Sequence, residues 1–101
     1  MELRQLKVLV AVAEEGRLEK AAVRLRRTIP AVSIAIRKLE EEVGTPLFER
    51  SNRHELHLTG AGESLVDYAK RLLLLQDEAL AAVEQVGIAK ACRPKSMAQA
   101  K

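Results

Sequence analysis

The sequence predicts a mostly α-helical chain in which three short helices and a small β-hairpin precede one long helix. Three observations carry this reading. Apolar residues recur at intervals of three and four over most of the chain, the spacing of helical faces. Aromatic residues are 2% of the 101, a single Phe48 and a single Tyr68, so Leu, Val, Ile and Ala must build the core. Two short alternating segments stand between the third and fourth helical patterns, as paired strands do. At this length one core is expected. The 48% hydrophobic and 31% charged residues are too apolar a mixture for a disordered chain.

The first helix spans about residues 3–15, where Leu3, Leu6, Leu9, Val10 and Ala13 recur until Gly16 breaks the pattern. A second, short helix carries Leu18, Ala21, Ala22 and Leu25. Thr28 then precedes Ile29 and Pro30. A threonine hydroxyl can accept from the unpaired N–H groups of a helix start, and proline fits a first turn, so a third helix begins there and runs to Gly44. Its inward stripe is Val32, Ala35 or Ile36, Leu39 and Val43; Ile29, Ser33, Ile34, Arg37 and Lys38 point outward on its first turns. Two short helices joined by a tight turn, the second presenting its N-terminal half, make a helix-turn-helix. Residues 47–50 and 55–58 alternate around Ser51-Asn52-Arg53-His54 and read as a hairpin, the wing of such a unit. Thr59 caps a long helix of about 60–86. Its Leu65, Leu72, Ala79 and Val86 recur every seven residues, with Tyr68 or Ala69, Leu75 or Gln76, and Ala82 or Val83 between them. This seam has no evident partner within so short a chain, so a second copy is the expected partner. The domain reading is therefore 1–59 for the winged helix-turn-helix, 60–86 for a linking and dimerisation helix, and 87–101 for a disordered tail.

The net charge of +3 is unevenly placed. Residues 17–38 hold seven basic side chains against Glu19 alone, whereas 39–59 and 60–86 are each net acidic. A basic block of this kind is an electrostatic footprint for a polyanion, because each neutralised phosphate releases counterions. Other classes lose ground. The scarcity of aromatics argues against single-stranded nucleic acid stacked on ring platforms. One cysteine, Cys92, allows no intrachain disulfide and fits a reducing, cytoplasmic setting. The N-terminus lacks a signal-peptide pattern, and no apolar run approaches the roughly 20 residues that cross a bilayer. Gly60-Ala61-Gly62 lacks the third glycine and the strand–helix alternation of a dinucleotide loop. His54 and His57 have no further ligands nearby, and Ser33, His57 and Asp67 show no nucleophile–base arrangement, so neither a metal, a cofactor nor catalysis is expected.

The stretch from Met1 to Leu75 closely resembles the N-terminal winged helix-turn-helix of LysR-type transcriptional regulators. The resemblance is carried by MELRQLKVLVAVAEEG, KAAVRL, PAVS, IRKLEEEVGTPLFER and LTGAGESL, in the family's order and spacing. It implies a regulator of bacterial type that binds double-stranded DNA as a homodimer, with the third helix in the major groove, the wing beside the minor groove and the long helix at the dimer contact. By position it implies groove-facing roles for Thr28, Ile29, Pro30, Ser33, Ile34 and Arg37, with Lys38, Arg50 and Arg53 near the backbone or minor groove. The dimer contact would use Leu65, Leu72, Leu75, Ala79 and Val83. Three departures stand out. Thr28-Ile29 replaces a frequent Ser-Gln, Ile34-Ala35 replaces Arg or Gln, and Arg17-Leu18-Glu19 replaces a frequent Ser-Phe-Thr, which removes a capping hydroxyl. The larger effector-binding domain usual in such regulators has no counterpart in these 101 residues.

Several assignments have competing readings at this level. Arg37 either donates to guanine or bridges to Glu41 one turn on; Arg53 either enters a minor groove or is a solvated loop charge. Ile29 and Ile34 either meet thymine methyl groups or a protein surface, or are ordinary exposed aliphatics. For the whole chain the alternative to sequence-specific DNA binding is a dimerisation or interaction module, a truncated or dominant-negative regulator that binds DNA weakly.

Overall fold

In a computed structural model of the chain, residues 1–49 and 55–89 are described. The elements run α1 (Leu3–Glu15), α2 (Leu18–Leu25), α3 (Ile29–Val43), β1 (Phe48–Glu49), β2 (His57–Leu58) and α4 (Gly60–Ala89). The expected mostly α, winged helix-turn-helix architecture is what the chain adopts. The wing tip, including Arg50 and Arg53, lies outside the described residues, as does the expected tail from residue 90 onward. The tail's first residues, 87–89, instead continue α4.

α1 lies at the centre. Leu6, Val8, Leu9, Val10, Ala11 and Val12 are all buried, more than the single stripe its spacing suggests. A helix buried nearly all round must be covered on several sides, and α2, α3 and α4 each pack against it. Ala21 and Ala22 from α2, Val32, Ile36 and Leu39 from α3, Leu47 and Phe48 from the wing, and Val66 and Ala69 from α4 complete one core. Val43, expected on the buried stripe of α3, is instead exposed on its last turn, next to the Gly44 cap.

The helix ends follow local chemistry. Gly16 closes α1 with φ 77°, and its N–H donates to the Val12 carbonyl at 2.8 Å. At the start of α2 the side chain of Arg17 provides no capping bond, as the missing hydroxyl implies. Arg26 ends α2 in the left-handed region at φ 58°, a conformation that costs an L-residue roughly 1–2 kcal/mol. It turns the chain toward α3, while the Arg27 N–H donates to the Ala22 carbonyl at 2.9 Å.

β1 and β2 pair antiparallel with Phe48 opposite Leu58 and Glu49 opposite His57, and among the described residues Leu47, Glu55 and Leu56 of the expected alternation lie outside these strands. The hairpin is held by its root. Glu40 of α3 accepts from the N–H groups of Leu47 at 2.8 Å and Phe48 at 3.3 Å. The Leu56 N–H donates to the Gly16 carbonyl at 3.0 Å, and the Thr59 N–H to the Leu47 carbonyl at 2.9 Å. Thr59 also donates its hydroxyl to the Pro46 carbonyl and accepts from the Gly62 N–H at 3.0 Å, which makes it both the cap of α4 and the clasp of the wing.

α4 is long enough to leave the core that starts it, and the molecule extends 56 × 26 × 18 Å. Leu65 and Leu73 are half-buried against the core beside Val66 and Ala69. The expectation that the apolar positions of this helix lack a partner within the chain is therefore corrected for its first half, Leu65 included. The reason is α1, whose apolar surface needs this cover.

Gly62 marks the tightest approach between α4 and the wing. A Cβ there would collide with the Leu47 carbonyl oxygen and crowd the Leu58 side chain, whereas one on Gly60 would meet nothing. Gly62→Ala is expected to lower the unfolding free energy by roughly 1–3 kcal/mol, the usual cost of overpacking. Gly60→Ala should leave it unchanged or slightly higher, as urea denaturation followed by circular dichroism will report for both.

Candidate nucleic-acid interface

The outward half of α3 begins at a well-made helix start. The Thr28 hydroxyl accepts from the Ala31 N–H at 3.2 Å, and Pro30 occupies the first turn without wasting a donor. Ile29, Pro30, Ile34, Arg37 and Lys38 are exposed and Ser33 is half-buried; Pro30, Ile34, Arg37 and Lys38 lie on the side away from Val32, Ile36 and Leu39, whereas Ile29 sits on the first turn nearer that buried line. Pro30, Ile34, Arg37 and Lys38 are thus brought together on one face, with Ser33 at its edge and Thr28 and Ile29 at the start of the helix. Among the described residues Arg37 forms no ion pair, so the bridge to Glu41 is absent. Arg50 and Arg53 fall outside the described residues.

The basic block divides in two. Arg24 Nη1 lies 2.8 Å from a Glu14 oxygen and 3.2 Å from a Glu15 oxygen, and Lys70 Nζ approaches Glu14 at 3.6 Å, which ties α1, α2 and α4 together. The hydrogen bond from Arg24 holds the Glu14 carboxyl below its ordinary range, and the same carboxylates hold the Arg24 guanidinium above its own. Glu14's depressed folded-state value means its contribution is present above the ordinary carboxylate range and is lost as pH falls through the folded value. These side chains are more than two-fifths exposed for Arg24 and Glu14, so solvent keeps the pair to about 1 kcal/mol or less. Arg17 leans toward Glu55 at 3.8 Å, on the wing side. Lys20, Arg26, Arg27, Arg37 and Lys38 form no ion pair among the described residues and face solvent.

A cleft of about 400 Å³ separates the N-terminal turn of α1 from α3. Arg4, Gln5, Arg27, Ala31, Ile34 and Lys38 line it, with Glu2 at its rim. Arg4 donates to Glu2 at 2.9 Å, and this contact holds the Glu2 carboxyl below its ordinary value. Arg4, Gln5 and Arg27 were missed as site residues by sequence reasoning. The position of Arg27 beside the Thr28 cap was the available signal, whereas nothing in the sequence joins residue 4 to residue 38. The cleft is open, and its lining carries Arg4, Arg27 and Lys38 against Glu2.

α4 presents a separate apolar surface beyond the core. Leu72, Leu75, Ala79 and Val83 are exposed on one stripe with Tyr68 and Val86, Leu75 at 60% and Val83 at 68%. Of the dimer positions expected from the sequence, these four are open to a partner and Leu65 is taken up by the chain's own core. Among the described residues no helix is long and apolar enough to cross a membrane, and no cluster of three or more His, Cys, Asp or Glu side chains is arranged to hold a metal.

Comparison with known proteins agrees with this geometry. Residues 3–63 match the family model described as a bacterial regulatory helix-turn-helix protein, lysR family. The chain is 49% identical over 80 residues to the HTH-type transcriptional regulator BudR of Klebsiella aerogenes, covering 79% of this chain and 55% of BudR. It is 42% identical over 84 residues to a probable RuBisCO transcriptional regulator of Guillardia theta, covering 83% of this chain and 27% of that protein. Against the crystal structure of a CbnR_DBD-DNA complex the TM-score is 0.81 at 37% identity, covering 86% of this chain and 99% of that one. The chain thus spans between about a quarter and about half of these two relatives' length, and nearly all of the CbnR fragment.

Proposed function

The chain belongs to the LysR family of bacterial regulatory helix-turn-helix proteins, and from that premise we propose that it binds double-stranded DNA sequence-specifically, as a homodimer, to regulate transcription. The observation that carries this reading is the N-terminal half of α3. It is capped by Thr28, turned away from the core, and edged by Arg27, Arg37 and Lys38, whereas Glu40, Glu41 and Glu42 make its other half acidic. Only the first half can approach phosphate. With α3 in the major groove, Ser33, Ile34 and Arg37 face base edges, Thr28, Ile29 and Pro30 lie at the groove-facing helix end, and Lys38 meets the backbone. Arg50 and Arg53, on the wing, belong to the same proposal as backbone or minor-groove contacts. The likeness to a fragment crystallised with DNA supports this docking.

Residues 1–59 form the reading head in this account, and α4 the dimer contact through Leu72, Leu75, Ala79 and Val83. A helix exposing that many aliphatic side chains in a continuous stripe is stabilised when a second copy covers it. The reading assigns no catalysis and no cofactor, and a cytoplasmic place of action; relatives named as transcriptional regulators support the first. The second reading, an interaction module with weak DNA binding, draws on Ile29 and Ile34, which replace hydrogen-bonding capacity with aliphatic surface.

Fluorescence anisotropy over a salt series, with a duplex selected from a random pool and with random duplexes, separates the two readings. Arg37→Ala is expected to weaken the selected duplex by about 1–3 kcal/mol and leave random duplexes little changed. Lys38→Ala should weaken all duplexes alike and reduce the salt slope by about one. Uniformly weak binding that Arg37→Ala leaves untouched would sink the first reading in favour of the second. In sedimentation velocity the chain is expected to run as a dimer and Leu75→Glu as a monomer; a wild-type monomer at micromolar concentration would refute the seam.

A further inference from the structure

At about 100° per residue, Pro30, Ile34 and Arg37 lie directly opposite the buried line of Val32, Ile36 and Leu39. Ile34 is therefore turned away from the core, 52% exposed, where it also borders the cleft lined by Arg4, Gln5 and Arg27. Its neighbours one turn back are Pro30 and Ala31, which add no hydrogen-bonding side chain; one turn forward are Arg37 and Lys38. An aliphatic side chain bordered by the cations Arg37 and Lys38 on its own helix and by Arg4 and Arg27 in the cleft lining suits a surface that is apolar in a small patch and anionic around it. The major groove has one such patch on a base edge, the C5-methyl group of a pyrimidine. A β-branched isoleucine, stiff at χ1, can neither accept from nor donate to a base, so it has nothing else to read there. Ile29 is 43% exposed but sits well around the helix from Ile34, toward the edge of the face.

We propose that Ile34 is a specificity-determining residue that reads the C5-methyl group of a pyrimidine, so that thymine and 5-methylcytosine are equivalent at one position of the DNA site. The inference rests on the reading that this face of α3 enters the major groove. It adds a chemical class to the ligand: a duplex recognised at that position by a methyl group and not by a hydrogen-bond pattern. Methylation of cytosine at that position would then create affinity, and removal of the thymine methyl would take it away.

The test uses the whole 101-residue chain and a duplex selected from a random pool. Each thymine is replaced in turn by deoxyuridine, which deletes only the methyl group. At one position the wild type is expected to lose roughly fourfold in affinity, the worth of one methyl taken out of water. At that same position cytosine should bind more weakly than 5-methylcytosine by a similar factor. Ile34→Ala should bind the thymine and uracil duplexes equally; because the side chain is half exposed, this variant keeps the fold, which circular dichroism will verify. If every deoxyuridine duplex binds the wild type as tightly as its parent, the inference is overturned although specific binding stands. It is equally overturned if Ile34→Ala keeps the full methyl dependence. A pool that yields no duplex above random affinity removes the underlying DNA reading, and this inference with it.

Discussion

Everything in this molecule depends on the burial of α1. Six of its thirteen residues are buried, spread over more than one face, and such a helix is stable in water only if other elements surround it. α2, α3 and α4 do so, each with a short apolar stripe: Ala21 and Ala22, then Val32, Ile36 and Leu39, then Val66 and Ala69. Because α3 spends one face on α1, the opposite face is left outward. The orientation of Ser33, Ile34 and Arg37 is thus a consequence of core packing, and the Thr28 cap fixes where that outward face begins. The same packing sets the direction of α4, whose first half covers α1 and whose second half leaves the body.

Electrostatics divides along the same lines. The basic block looks uniform in sequence, but Arg24 lies between Glu14 and Glu15 and binds helices to one another, and Arg17 leans toward the wing. The cations that remain without carboxylate partners among the described residues, Arg27, Arg37 and Lys38 among them, border the outward face of α3 and the cleft beside α1. Glu40 shows the reverse case. It reads as one of three carboxylates in an acidic run, yet it accepts from two backbone N–H groups at the wing root and so links α3 to the hairpin. A carboxylate placed there satisfies donors that the short strand leaves unpaired.

The local elements were legible because their signals are local. Gly16, Thr28, Gly44 and Thr59 mark helix ends through chemistry confined to a few residues, and the structure puts the ends there. What was not legible depends on contacts between distant segments. Leu65 reads as part of a continuous seven-residue repeat, and only the position of α1 shows that it is spent internally while Leu75 and Val83 are not. Nothing in the sequence around Gly62 marks it as tightly packed, and only the Leu47 carbonyl against it shows why no side chain fits. Arg4 belongs to the candidate interface solely because α1 places it across the cleft from Lys38. Family resemblance compensates for such gaps in the fold. It does not do so for Ile34, where this chain departs from the frequent Arg or Gln and the physical character of its own side chain must decide.

The central claim is that duplex DNA meets the N-terminal half of α3 and the rim of its cleft. Amide chemical shifts of the labelled chain, followed while a selected duplex is added at low salt, test it most directly. The account expects the largest changes at residues 28–38, smaller ones at Arg4, Gln5 and Arg27, and little at Glu14, Arg24 or the acidic end of α3. Changes centred on the apolar stripe of α4, with residues 28–38 unmoved, would contradict it.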